Sequence, residues 1–256
     1  MILTILSNLD TSLNILEAAN RLSTSFSKKN GIVTLADKNG QEHDIISNRL
    51  QLLLVDNEIQ HDYLSVNEKI VNIKDICEAQ EVSFLIIQLT NSKIRTIKKY
   101  LRACSELRIP YLFIKDEFSN ISFEKIVVPV NFLIEEIEKA QFTAAFGRFL
   151  NSEIIMLQAK DYGSKAANNV TKISSVLDKF NLNYKTVKGK KDSFKIEFDA
   201  LRYASDNNCN LIISSSSREY GLDDIVFGPK ELHLIQKAEC PLMLLNPRGD
   251  LYVLCD

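Results

Sequence analysis

Short apolar runs alternate with amphipathic stretches along the whole chain, the pattern of strands and helices taking turns. In the first half, "ILTIL" precedes a predicted helix from about Thr11 to Ser27, where Leu13, Leu16, Ala19 and Leu22 recur at helical spacing. Gly31 opens "IVTLA", and a second helix is predicted from near Asp44 through "IISNRLQLLLV". "YLSV", a short helix around "IKDICEAQ", "SFLIIQL", a basic amphipathic helix and "YLFI" complete this half.

The same outline then repeats. "KIVVPV" leads into a helix whose apolar stripe is Ile134, Ile137, Ala140, Ala144 and Ala145. "EIIMLQA", the helix "KAANNVTKISSVLDKF", "YKTV", the helix "FKIEFDALRYASDNN", "NLII", a helix opening at Gly228-Pro229 and "LMLL" follow. Strands that alternate with helices pair in parallel through right-handed crossovers. The expectation is an α/β chain of two Rossmann-like repeats, at 1–118 and 122–256, each a five-stranded parallel sheet flanked by helices. The junction falls in the polar, weakly patterned "DEFSNISF" between Asp116 and Phe123.

The two repeats differ most where their fourth strands end. In the second, apolar Leu211, Ile212 and Ile213 give way abruptly to Ser214, Ser215, Ser216 and Ser217, and a helix opens later. A polar loop between the carboxyl end of a buried strand and a helix amino terminus is where α/β sheets bind anions. In the first repeat, Ile87 and Pro110 are 23 residues apart, against 28 for the matching Ile213 and Pro241. That loop is thus about five residues shorter, and the glycines before residue 120 are Gly31 and Gly40, neither of them in it.

Composition narrows the class. Of 256 residues, 45% are hydrophobic and 25% charged, which suits a globular protein with two domains. The net charge of −2 is spread evenly over both halves, so no basic arm marks nucleic acid as a partner. Cys77, Cys104, Cys209, Cys240 and Cys255 are scattered, with no Cys-x-x-Cys and no His/Cys cluster, which fits a reducing cytoplasm better than a metal or redox site. "MILTILSNLD" lacks the basic leader of a signal peptide, and runs such as "FLII" are too short to span a bilayer. A cytoplasmic protein without membrane segments is expected.

"KIVVPVN" near the start of a repeat, "LIISSSS" at its fourth strand and "GPKELHLIQKAECPLMLL" at its end resemble the universal stress protein family in tandem form, over almost the whole chain. The resemblance implies the adenine nucleotide alpha hydrolase-like variant of the fold. ATP-binding members carry glycine, two residues, glycine, nine residues, glycine, then serine or threonine. Those positions here fall on Ser215, Arg218, Gly228 and Pro229, so one of four matches; Gly221 is nearby but at the wrong spacing. Ser215 and Arg218 admit a close phosphate less readily than glycine, and Pro229 offers neither N–H nor hydroxyl. Arg218 and the serine hydroxyls remain as anion donors. The family's nucleoside-contacting aspartate at the end of the first strand is replaced by Asn131, after Pro129 and Val130, while Asp10 takes the corresponding place in the first repeat.

The resemblance therefore implies a stress-response regulator that acts by protein association, with ATP or AMP bound weakly or not at all. The alternative is a nucleotide switch using one site in the second repeat, built from Pro129, Val130, Asn131, Ser214, Ser215, Ser217, Arg218, Gly228 and Pro229. Family members pair through their last strands, which implies an intramolecular pseudo-dimer through "YLFI" and "LMLL". The alternating tail Leu251, Val253 and Cys255 suggests a further edge strand and a possible homodimer.

Plainer readings stand beside these. Ser214–Ser217 is equally a polar turn leaving a sheet, Pro229 suits a helix start, and Asn131 suits a cap. The cations Lys93, Arg95, Lys98, Lys99 and Arg102 read first as a solvated helix face, with an anionic partner as the other reading, and "KGKKDSFK" reads as a loop. His43, His61 and His233 form no base or ligand set. With no nucleophile elbow, Walker loop, dinucleotide fingerprint or metalloprotease motif, an enzyme is not expected, and no metal site is indicated.

Overall fold

The computed structural model describes residues 1–36, 43–91, 93–217 and 228–248. Arg218, Gly221 and the tail residues Leu251, Val253 and Cys255 lie outside the described residues. The chain divides into two compact units, Met1–Ile121 and Ser122–Asp256.

In the first unit, strands β1 (Ile2–Leu6), β2 (Asn30–Leu35), β3 (Tyr63–Glu68), β4 (Phe84–Leu89) and β5 (Tyr111–Lys115) form a parallel sheet in the order β3-β2-β1-β4-β5. Helices α1 (Leu13–Ser25), α2 (His43–Asp56), α3 (Ile73–Ala79) and α4 (Ile94–Cys104) make the crossovers. Thr4 stands opposite both Ile32 of β2 and Ile86 of β4, so β1 is the central strand. Every residue of β1, β4 and β5 is buried, as expected of parallel strands covered on both faces.

The second unit repeats the plan. Strands β6 (Lys125–Val130), β7 (Glu153–Gln158), β8 (Tyr184–Lys188), β9 (Leu211–Ser215) and β10 (Leu242–Leu245) lie in the order β10-β9-β6-β7-β8, all parallel. Helices α5 (Lys139–Leu150) and α6 (Lys165–Lys179) pack together, while α7 (Ile196–Asp206) packs on β6 and β9 and against α8 (Lys230–Lys237). The strand order reverses between β1 and β4 in one unit and between β6 and β9 in the other. These are the positions where open α/β sheets leave a crevice at their carboxyl ends.

Three local readings need correction. The helix after β6 starts as a 3-10 segment, Ile134–Glu138, which turns about 120° per residue where an α-helix turns about 100°. The stripe read from α-helical spacing is thereby rotated: Ile134 is 42% exposed, and Glu135 and Glu136 are buried instead. Ser214 and Ser215 continue β9 and do not begin a turn, so the polar loop starts two residues later. Pro229 is the residue before α8, with ψ at 156°, and the first helical position is Lys230.

Candidate functional site

The crevice of the second unit opens where β6 and β9 end, and its floor is built from charged residues absent from the sequence-predicted set. Glu136, from the 3-10 segment, and Lys139, from the first turn of α5, are both buried, with Lys139 Nζ 2.7 Å from Glu136 Oε2. Lys139 also donates to the Pro129 carbonyl at 2.6 Å, fixing it against the end of β6. Glu136 Oε2 accepts the Asn131 N–H at 3.0 Å, and its Oε1 accepts the Ser215 hydroxyl at 2.8 Å. One carboxylate thus joins the ends of both central strands.

A second ion pair closes the other side. Glu197 of α7, 2% exposed, holds Lys230 Nζ at 2.6 Å and accepts a longer bond of 3.4 Å from the Asn131 amide. Burial acts to lower the Lys230 pKa, but Glu197 raises it by charge and by hydrogen bond, with Glu231 and Glu136 adding to the rise; the net direction is upward. Glu231, fully buried in the first turn of α8, accepts both the N–H and the hydroxyl of Ser217 on Oε1, the hydroxyl at 2.8 Å. Its Oε2 is a buried acceptor without a hydrogen-bond partner.

Among the described residues, Asn131, Ser215 and Ser217 of the sequence-predicted set meet these carboxylates, and the Ser215 and Ser217 hydroxyls are engaged by them. Ser216 donates to Asn246 Oδ1 at 2.7 Å, and the Ser214 hydroxyl stays inside the sheet, 3.5 Å from the Ser215 carbonyl. Asn131 turns its own Oδ1 onto the Leu133 N–H at 2.7 Å, and Asn169 bonds the Asn131 carbonyl at 3.0 Å. Val130 stays in the strand, its carbonyl accepting the Ala159 N–H. Gly228, at φ 84°, holds the left-handed conformation that glycine adopts without penalty, and Pro229 follows it into α8. Among the described residues, Glu136, Glu197 and Glu231 stand here beside Lys139 and Lys230.

Sequence reasoning missed these five residues because glutamate and lysine after a strand read as solvated helix. The available signal was "IEEIEK": carboxylates and a lysine packed into one turn at the end of a buried strand.

In the first unit Gln88 bridges the ends of β1 and β4, and a cavity of about 550 Å3 lined by Ser7, Leu35, Glu68, Lys93, Arg95 and Lys99 stays open at the carboxyl ends of the strands. Gln88 of β4, fully buried, accepts the Ser7 and Asn8 N–H groups on Oε1 at 2.8 and 2.9 Å. Its amide nitrogen lies 2.8 Å from the Asn8 carbonyl, 3.1 Å from Thr11 Oγ1 and 2.8 Å from Asp116 Oδ1. Asp10 faces outward, 72% exposed, and pairs with Arg49.

The chain aligns over 97% of its length, and 97% of the other's, with the crystal structure of a universal stress protein from Archaeoglobus fulgidus DSM 4304, at 14% identity and a TM-score of 0.69. The fold is that of the universal stress proteins. A candidate universal stress protein from Pseudomonas aeruginosa UCBPP-PA14 aligns over 96% of this chain and 92% of its own, at 10% identity and a TM-score of 0.66. A functionally unknown protein from Pseudomonas aeruginosa PAO1 aligns over the same shares at 12% identity, with a TM-score of 0.64. No protein-family model and no curated protein sequence matches the chain. Among the described residues, no helix is long and apolar enough to cross a membrane. Within the universal-stress-protein fold, both crevices hold this chain's own polar side chains.

Proposed function

We propose that this chain is a universal-stress-protein-like cytoplasmic regulator that acts by protein association and binds ATP weakly or not at all. The observation that carries the reading is the engagement of the second-unit donors by Glu136 and Glu231. A phosphate about 4 Å from an ionised carboxylate meets roughly 4 kcal/mol of repulsion at an effective dielectric near 20. A hydrogen bond to a charged group returns about 1.5–3 kcal/mol, so the repulsion wins unless several donors are freed at once.

The alternative, an adenine-nucleotide switch in the second unit, draws on the left-handed Gly228 and the partly exposed Lys230 at the start of α8. Calorimetry with ATP and magnesium, together with acid release of nucleotide from freshly purified protein, separates the two. Empty protein and a dissociation constant no tighter than about millimolar are expected, equivalent to about −4 kcal/mol. A micromolar constant or stoichiometric ATP or AMP overturns the reading in favour of the switch.

A further inference from the structure

Arg95 and Lys99 of α4, with Lys93 just before it, line a cavity of about 550 Å3 at the carboxyl ends of the first-unit strands, beside Ser7, Leu35 and Glu68. One side of α4 carries Ile97, Tyr100, Leu101 and Cys104 into the core. Beside that stripe Arg95, Lys98, Lys99 and Arg102 face a groove of about 610 Å3, whose opposite wall is Ile70 and Val71, just before α3, and Lys74 in its first turn. Ala103 lines it as well, and at its far end Lys74 pairs with Glu106. Val71 is 73% exposed at the edge of this charged surface. The Lys93, Arg95, Lys98, Lys99 and Arg102 side chains form no ion pair or hydrogen bond among the described residues.

This arrangement works against the helix that carries it. Arg95 with Lys99, and Lys98 with Arg102, are like charges four residues apart, each pair destabilising by about 0.2–0.5 kcal/mol. Lys93 and Arg95 also sit at the amino terminus, where the helix dipole disfavours cations. A local conflict without compensation inside the chain is what a binding surface leaves behind.

We propose that this groove docks an acidic, partly apolar segment of a partner protein. Carboxylates of the segment meet Arg95, Lys98, Lys99 and Arg102, and its apolar side chains seat on Ile70, Val71 and Ala103. The stretch of α4 from Arg95 to Cys104 is about 14 Å long, which matches about nine helical or four extended residues. Nucleic acid fits less well, because an apolar wall offers nothing to phosphates and the lining holds no aromatic ring for a base to stack on. The proposal rests on the association reading above and names its partner class.

The test titrates the full chain into a fluorescein-labelled helical peptide with glutamates on one face and leucines on the other. Affinity on the order of micromolar is expected. It should fall at least about tenfold in Lys98→Glu/Arg102→Glu, and equally when glutamine replaces glutamate in the peptide. Both side chains are exposed, and Lys98→Gln/Arg102→Gln serves if the charge reversal disturbs folding. Absence of binding, unchanged affinity in these variants, or equal binding of a single-stranded oligonucleotide of the same charge overturns the proposal. ATP calorimetry on the same preparation keeps the two failures apart. Tight ATP binding removes the association reading, whereas empty protein that ignores the peptide removes only the docking groove.

Discussion

Glu136 Oε1 accepts the Ser215 hydroxyl at 2.8 Å, tying the segment after β6 to the end of β9 across 79 positions of sequence. Its other oxygen holds the fully buried Lys139 ammonium. Removing one partner of a buried pair leaves an uncompensated charge, at a cost of about 3–5 kcal/mol. Glu136→Ala should lose that much in urea unfolding of the second unit. Glu136→Gln with Lys139→Met should recover most of it; a double variant as unstable as the single one would show that the pair is not what holds the turn.

Gln88 is the matching fastener in the first unit. Gln88→Leu keeps the volume and removes the acceptor of the part-buried Ser7 and Asn8 N–H groups, a net loss of about 0.5–1.5 kcal/mol for each. The expected signature is local. Amide exchange at Ser7 and Asn8 should speed up beyond the global loss of stability, and uniform protection across β1 would contradict the assigned role.

The strands were legible because continuous apolar runs such as "FLII" and "IVV" have few alternatives once glycine, proline and polar loops bracket them. Gln88 was legible in principle too: one amide inside "FLIIQL" must find partners if the strand is buried. The cluster around Glu136 was not. Its glutamates follow helical spacing only if the chain is α-helical there, and the 3-10 turn from Ile134 to Glu138 moves them from the outer face to the inner one. The Ser215 hydroxyl looked like a phosphate donor because sequence does not reveal which acceptor, from 79 residues away, has already taken it.

Lys230 links stability to alkaline pH. Its folded-state pKa lies above the ordinary 10.5 despite burial, because Glu197 holds the charged form. A raised folded pKa means that this stabilisation is fully present below the unfolded pKa and is lost as pH rises through the folded value. Lys230→Arg keeps the pair with Glu197 but stays protonated through this range. Urea titrations from about pH 9 upward should show a shallower alkaline loss in the variant than in the parent chain. Equal slopes would mean that other lysines carry the dependence.

If carboxylates exclude phosphate from the second-unit crevice, removing them should admit it. Glu231→Gln replaces the carboxylate on the Ser217 N–H and hydroxyl with a neutral acceptor beside Lys230. Lifting roughly 1–3 kcal/mol of opposition corresponds to about a ten- to hundredfold gain in anion affinity, read by calorimetry with ATP and with inorganic phosphate. Glu136→Gln also leaves the Lys139 ammonium without its counter-ion, so it should favour an anion too, at the cost in stability given above. A Glu231→Gln protein that folds, unfolds as the parent does, and still ignores both ligands would show that the backbone around Gly228 excludes the nucleotide and that charge does not.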